Sequence, residues 1–305
     1  MSNNSRAPAT VGVVAGLASY VWWGLSPIYW KQLGEIPAIE LTGWRMLCTV
    51  LTLGIALGVL GRGQAVREVM RNARTMLALV ASGLLIAVNW GVFVWAVSDG
   101  RIVESALGYF INPLVSVFLG VVFLGERLRT AQWAAVGFAV AGVIWLTVDL
   151  GQAPWVALTL AFSFGFYGLI RKLVDVDPIV GLGIETAVLI VPAALVVILG
   201  GASLGLEGEG QLWWGAGTTA KLLTTGAFTA IPLVLFALAA RRVTLSVVGL
   251  LQYINPTLQF FVGWQIYNEP FNQGQFIGYV IIWAGLVIFA VDGLRTGSEG
   301  LATSP

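Results

Sequence analysis

The chain has 305 residues, of which 58% are hydrophobic and 10% are charged, and its formal net charge is +1. A soluble globular protein has about a quarter of its residues charged, so a fully water-covered surface is excluded and most of this surface is expected to meet lipid. The chain has no histidine and one cysteine, Cys48. These counts exclude a conventional Ser-His-Asp hydrolase, an intrachain disulfide and a cysteine cluster for metal. No cofactor, metal or nucleic-acid partner is predicted, since no basic tract is long enough for nucleic-acid binding.

Ten apolar runs follow a short polar N-terminal tail, and each is long enough to cross the hydrocarbon core of a membrane as a helix. In chain order they are Val11–Trp30, Ala38–Leu60, Met76–Val97, Val103–Leu124, Thr130–Val148, Pro154–Ile170, Ile179–Leu199, Lys221–Ala240, Leu245–Tyr267 and Gly274–Asp292. The sequence therefore predicts an all-α, polytopic membrane bundle of ten transmembrane helices, with membrane lipid as a partner.

The connections between these runs are unequal in positive charge. With a cytoplasmic N-terminus, the inner side carries twelve Lys and Arg residues and the outer side three. The inner set includes Arg171 and Lys172, which this assignment places in a loop. Because cytoplasmic loops are enriched in these residues, both termini are predicted to be cytoplasmic.

An internal repeat appears when the chain is shifted by 143 residues against itself. Ile111-Asn112-Pro113 then falls on Ile254-Asn255-Pro256, and Glu126 falls on Glu269. Further identities at Gln and Asp residues keep the same register, which indicates a duplication. For Glu126, a structural role at the start of a following helix is predicted.

Each repeat holds five helices, so the second copy enters the membrane upside down. Inverted repeats are typical of secondary transporters, whose substrate sites lie near the bilayer midplane. The predicted division is a cytoplasmic tail over residues 1–10, a first repeat over 11–150, a second repeat over 151–293 and a cytoplasmic tail over 294–305.

Several stretches resemble signatures of the RarD group of EamA-type proteins, which belong to the drug/metabolite transporter superfamily. They are Glu104-Ser-Ala-Leu-Gly-Tyr-Phe-Ile-Asn-Pro113, Leu160-Ala-Phe-Ser-Phe-Gly-Phe-Tyr-Gly-Leu-Ile-Arg-Lys172, Ile184-Glu185-Thr186 and Gln252-Tyr253. The resemblance covers essentially the whole chain. It implies a ten-helix permease of the bacterial inner membrane built from two EamA repeats, and it leaves the substrate open.

Two charged residues lie inside predicted spans, where each charge costs about 3 kcal/mol or more to insert. Arg45 is in the second helix, and Glu185 is at a similar depth in the seventh. One hypothesis is that both face the interior and bind the charged ends of a zwitterionic substrate, with Glu185 as the candidate carrier of a coupling proton. The alternatives are a direct Arg45–Glu185 ion pair or charges that reach the membrane interface.

Two further groups are candidates for a polar cavity. Pro113 and Pro256 are predicted to kink or hinge their helices, because a proline frees one backbone carbonyl. Aromatic and amide side chains deep in the spans suit a cavity for apolar or aromatic solutes. Helix packing is the favoured alternative for any single aromatic and contacts between helices are the alternative for the amides, while the aromatics as a group favour the cavity. The predicted substrate-binding residues are Tyr20, Trp22, Trp23, Asn89, Trp90, Tyr109, Asn112, Ser163, Tyr167, Gln252, Tyr253 and Asn255.

These features predict a secondary transporter that moves amino-acid-like metabolites or amphipathic drugs by alternating access. The chain has no Gly-x-x-x-x-Gly-Lys loop for ATP, so an ion gradient or the solute's own gradient must supply the energy. An uncoupled facilitator is the main alternative, and a membrane enzyme or sensor is another. The sequence does not indicate the oligomeric state.

Overall fold

The computed structural model describes residues 6–98, 102–151, 154–199, 215–268 and 273–302. Within these ranges the chain is helical and contains no strand. The α-helices are α1 (Arg6–Trp30), α2 (Ala38–Val59), α3 (Gly63–Arg71), α4 (Ala73–Ser98), α5 (Ile102–Leu124), α6 (Thr130–Leu150), α7 (Trp155–Leu173), α8 (Pro178–Val188), α9 (Ile190–Leu199), α10 (Ala216–Arg242), α11 (Leu245–Gln252), α12 (Ile254–Phe261) and α13 (Gln273–Ala302).

In the described part of the chain, nine helical segments are long and apolar enough to cross a membrane. The bent pair of α8 and α9 brings the number to ten when it is counted as one span. The predicted helical membrane bundle is therefore confirmed. Large apolar side chains such as Leu51, Ile55 and Val59 of α2 lie on its outer surface, as expected where lipid replaces water.

Two spans that the sequence predicts as single helices are interrupted. α8 and α9 meet at a 47° bend at Leu189, and α11 gives way to α12 at Tyr253. Each upstream helix ends four residues before a proline, at Val188 before Pro192 and at Gln252 before Pro256. A proline cannot donate a hydrogen bond to the carbonyl four residues earlier and its ring crowds that carbonyl, so both interruptions fall where a proline weakens the helix.

The connection after the second span also differs from its prediction as a loop. It contains α3, whose Val66 and Val69 pack against a buried cluster that includes Leu79 and Val180. Arg67 lies on the exposed side of α3. The helix is therefore amphipathic and lies against the end of the bundle without crossing it.

The main contacts between a helix of the first half and a helix of the second have counterparts in which the halves are exchanged. α1 of the first half packs on α10 of the second, and correspondingly α7 of the second half packs on α4 of the first. In the same way, α2 packs on α10 and α8 packs on α4. Likewise, α5 packs on α7 as α12 packs on α1, while α6 pairs with α13 and α5 with α11. Most of the bundle is therefore held together by contacts between the halves, and this surface is where a shared site can form.

One of these close approaches depends on a glycine. A Cβ atom at Gly226 of α10 would collide with the backbone carbonyl of Cys48 in α2, so only glycine allows this separation. Gly54, on the same α2, has open space around it. The two glycines provide a matched comparison of a packed and an unpacked position.

We expect Gly226→Ala to lower the free energy of unfolding by about 1–3 kcal/mol, the usual cost of overpacking. Gly54→Ala should be neutral or slightly stabilising, since alanine favours a helix over glycine by about 1 kcal/mol. Thermal unfolding of the two purified variants in detergent measures the difference. Equal melting temperatures would contradict the close α2–α10 contact.

Candidate functional site

An aromatic cluster occupies the centre of the interface between the halves. Tyr20 and Trp23 of α1 meet Phe164 and Tyr167 of α7 and Phe236 of α10, with neighbouring ring centroids 5.1 to 6.4 Å apart. Tyr20 and Tyr167 are fully buried. The structure thus brings three predicted residues together and adds two phenylalanines, which the sequence did not distinguish from ordinary packing residues.

Arg45 lies against aromatic rings. Its guanidinium carbon is 4.6 Å from the centroid of Trp90 and 5.4 Å from that of Trp30. Tyr109, another predicted residue, packs edge-on against Phe93 of α4. Arg45, Trp90, Trp30 and Tyr109 are all partly exposed. Trp30, at the end of its helix, was not predicted as a site residue.

Glu185 is bound by a different arginine. Its Oε1 accepts hydrogen bonds from Ser82 Oγ at 2.5 Å and from Arg171 Nη1 at 3.3 Å. Both charged side chains are only 1% exposed. The hydroxyl of Tyr167 lies beside the carboxyl but outside hydrogen-bonding geometry. The ion pair therefore joins α4, α7 and α8 inside the bundle, and it does not involve Arg45.

The burial of Arg171 corrects its assignment to a cytoplasmic loop. α7 continues past Ile170 to Leu173, so both cations belong to the helix. The guanidinium of Arg171 fills the space above Gly181, where any Cβ would collide with it. Lys172 donates hydrogen bonds to the carbonyls of Ala240 at 3.2 Å and Val243 at 2.5 Å. A basic pair just beyond an apolar run is typical of a loop at the membrane surface. For this reason the sequence did not indicate that the charge of Arg171 is buried.

Several predicted polar residues are satisfied by neighbouring helices. Asn89 donates to the Leu160 carbonyl at 2.9 Å and to Ser163 Oγ at 3.0 Å. Tyr253 donates to the Phe110 carbonyl at 3.1 Å. These bonds join helices, which is the common role of polar side chains within a membrane.

Two other predicted residues have partners away from the centre of the aromatic cluster. Trp22 donates to the Phe228 carbonyl at 3.0 Å, on the contact of α1 with α10. Asn255 Oδ1 accepts a hydrogen bond from Gln259 at 2.9 Å. The roles predicted for Pro113 and Pro256 stay predictions: α5 runs through Pro113 without a break, and the interruption at Tyr253 precedes Pro256.

A further set of polar side chains is buried without a hydrogen-bond partner among the described residues. Besides Arg45 Nε, Arg171 Nε and Glu185 Oε2, these atoms are the hydroxyls of Tyr20, Tyr167 and Thr229 and the amide oxygens of Asn112 and Gln252. The last five come from α1, α5, α7, α10 and α11, each of which contacts the opposite half. Of these five, only Thr229 was absent from the predicted set.

The carboxylate of Glu126 links the two halves at one end of the bundle. It accepts hydrogen bonds from the backbone N–H groups of Leu245 at 2.6 Å and Ser246 at 2.9 Å, and from the Ser246 hydroxyl at 2.7 Å. It therefore caps the first turn of α11, where a negative charge is favoured. The predicted role at a helix start is thus seen in the opposite half, while the repeat mate, Glu269, lies outside the described residues.

We expect Glu126→Ala to lower the free energy of unfolding by about 1–2 kcal/mol, because three donors at a helix start lose their acceptor. The exposed Glu68, which accepts only from Gln64, provides the control, and its alanine variant should change stability by less than about 0.5 kcal/mol. Detergent-based thermal unfolding measures both. A Glu126→Ala variant as stable as the control would contradict the capping role.

No group of His, Cys, Asp and Glu suited to a metal ion occurs among the residues that the structure describes. The centre of the interface instead combines one cation, several ring faces and uncommitted polar atoms. Such a site can bind a small organic molecule through charge and apolar surface.

The chain is similar to a family of known proteins over nearly its whole length. The model of the EamA-like transporter family matches the chain twice, at residues 10–148 and 153–291. The protein RarD of Streptomyces exfoliatus is 42% identical over 95% of this chain and 91% of its own length. An uncharacterised transporter of Bacillus subtilis, YojE, is 40% identical over 95% and 97%, and the protein RarD of Escherichia coli is 36% identical over 93% and 95%.

One solved crystal structure shares the fold with a TM-score of 0.71 and covers 94% of this chain and 99% of its own. Its sequence identity is 20%, so this likeness concerns the fold alone. The curated relatives match over nearly their full length and the family model matches both halves. This multi-pass membrane protein therefore belongs to the EamA-like transporter family and is a RarD-type member of it.

Proposed function

We propose that the protein is a secondary transporter that moves small organic solutes by alternating access, with its site between the two halves. The observation that carries this proposal is the set of buried polar atoms without partners on α1, α5, α7, α10 and α11. Leaving such an atom unsatisfied costs about 1–3 kcal/mol. A path that is hydrated or occupied by solute during transport would supply the missing partners, and all five helices contact the opposite half.

The exchange symmetry of the helix contacts supports the same mechanism. If the halves are inverted repeats divided near residue 150, a conformation closed on one side of the membrane has a counterpart closed on the other. A contact that breaks in one half during the change can then be replaced by the equivalent contact in the other half. Lipid surrounds the bundle, and the solute is the partner of the central site.

The Arg171–Glu185 ion pair argues against proton coupling through Glu185. A proton on Glu185 would leave the charge of Arg171 buried without a counter-ion, which is energetically costly. The proton-carrying role of Glu185 stays a prediction. We favour a structural role for the pair, and hence an uncoupled facilitator or a coupling site elsewhere.

The proposed location is the bacterial inner membrane with both termini in the cytoplasm. Without the buried Arg171, the predicted inner side carries eleven cations in place of twelve, against three on the outer side. This imbalance still favours the same orientation.

The solute classes to test are amino acids and amphipathic drugs. A Pseudomonas aeruginosa relative, 27% identical over 93% of this chain, carries the name chloramphenicol-sensitive protein RarD. Chloramphenicol therefore belongs in the panel beside the amino acids.

Uptake of this labelled panel into proteoliposomes tests the proposal, with and without an imposed pH gradient. We expect saturable uptake of at least one solute above that of empty liposomes. The double variant Arg171→Met/Glu185→Met, which removes both buried charges together, should respond to the pH gradient as the wild type does. A gradient response lost only in this variant would restore Glu185 as the proton carrier. Uptake that never saturates would contradict a carrier.

A further inference from the structure

The two cations inside the bundle have opposite surroundings. Arg171 faces a carboxylate, Glu185. Arg45 makes no ion pair or side-chain hydrogen bond with any residue that the structure describes, and its Nε atom is buried without a partner. Its nearest acidic neighbour in the sequence, Glu40, is five residues earlier and so lies about 140° away around α2. Within the described part of the chain, the charge of Arg171 thus has a counter-ion and that of Arg45 has none.

The rings around Arg45 do not replace a counter-ion. Trp90 and Trp30 attract its charge through their faces, but they accept no conventional hydrogen bond from its N–H groups. The guanidinium therefore keeps a planar set of donors that matches the two oxygens of a carboxylate. Arg45 is partly exposed, so it is not sealed within the packed bundle.

The rings beside Arg45 also favour a flat apolar body. Trp90 and Trp30 flank the cation, and Trp90 packs against a buried cluster that includes Tyr20 and Tyr167. An ammonium group on the ligand would find Glu185 already paired with Arg171 and only 1% exposed. We therefore expect the site to favour an acid over a zwitterion or an amine.

We propose, on the basis of the proposed function above, that the transported solutes are organic monocarboxylates with a flat apolar body. The carboxylate binds the guanidinium of Arg45, and the body lies against the rings of Trp90 and Trp30.

Binding of labelled benzoate to the purified protein in detergent tests this assignment. Unlabelled benzamide, its uncharged analogue, and benzylamine, a cation, serve as competitors. We expect benzoate to compete at least tenfold better than benzamide and benzylamine not to compete. Arg45→Gln should remove the preference for benzoate. Arg45→Lys should keep a weaker preference for benzoate, because lysine retains the charge but cannot donate two parallel hydrogen bonds to the carboxylate.

Arg129→Gln is the matched control, because it removes an exposed cation paired with Asp292 at the bundle end and should bind benzoate normally. If Arg45→Gln does not yield monodisperse protein, Arg45→Lys and Trp90→Leu carry the comparison, and both should weaken benzoate binding. Monodisperse wild-type protein that binds no benzoate, or that binds benzamide equally well, would overturn the inference.

Uptake separates this inference from the function on which it rests. Arg45-dependent benzoate binding without benzoate uptake into proteoliposomes would support the ligand class and count against the transporter. Saturable uptake of other solutes with no preference for negative charge would keep the transporter and overturn the ligand class.

Discussion

Glu185→Gln is expected to lower the free energy of unfolding by about 3–5 kcal/mol, because it leaves the buried charge of Arg171 without its counter-ion. Both side chains are only 1% exposed, so water cannot replace the lost partner. Arg171→Met, which strands Glu185 in the same way, should cost a similar amount. Thermal unfolding in a mild detergent measures both changes.

The double variant Arg171→Met/Glu185→Met should recover most of the loss, since replacing both members of a buried pair by apolar groups is often neutral. Asp175→Asn is the surface control: Asp175 pairs with Arg241 and is 91% exposed, so its loss should cost less than about 1 kcal/mol. If Glu185→Gln is no more harmful than Asp175→Asn, the pair is not buried as the structure has it.

Gln252→Leu is expected to lower transport at least tenfold without lowering stability. Gln252 is only 3% exposed and makes no side-chain hydrogen bond to another described residue, so an apolar replacement of similar size strands no partner. If its amide lines a hydrated path, the leucine makes that part of the path apolar. Asn112→Leu, at the other uncommitted amide, should behave alike. Solute uptake and melting temperature are measured on the same preparations.

Asn89→Leu provides the opposite pattern. Asn89 holds α4 against α7 through two hydrogen bonds, so its loss should destabilise the bundle by about 1–3 kcal/mol. If Gln252→Leu and Asn89→Leu destabilise equally, Gln252 is a packing residue and the path argument fails.

The fold was predictable because a membrane imposes strong constraints on a sequence. Apolar length and loop charge locate the spans, and the repeat register identifies equivalent positions such as Asn112 and Asn255. The interruptions at Leu189 and Tyr253 were less visible, because Pro113 has the same Asn-Pro sequence as Pro256 and its helix stays continuous. A proline weakens a helix, and the surrounding packing decides whether it breaks.

The candidate site was predictable in its residue types and only partly in its connections. Arg45 and Glu185 stood out because charge is costly in an apolar run, but their partners lie on helices distant in sequence. Arg171 looked like a loop residue, and Asn89 and Asn112 looked equivalent. Which polar group finds a partner is decided by contacts between helices, and a single sequence does not record them.

Counterflow in proteoliposomes tests the central claim, a carrier with its site between the halves, most directly. Liposomes are loaded with an unlabelled solute identified by the uptake panel, and the same labelled solute is added outside. A carrier predicts a transient accumulation of label above its equilibrium level, because one site is exposed to each side in turn, and Gln252→Leu should abolish it. Label that only rises to equilibrium, equally in wild type and variant, would contradict the account.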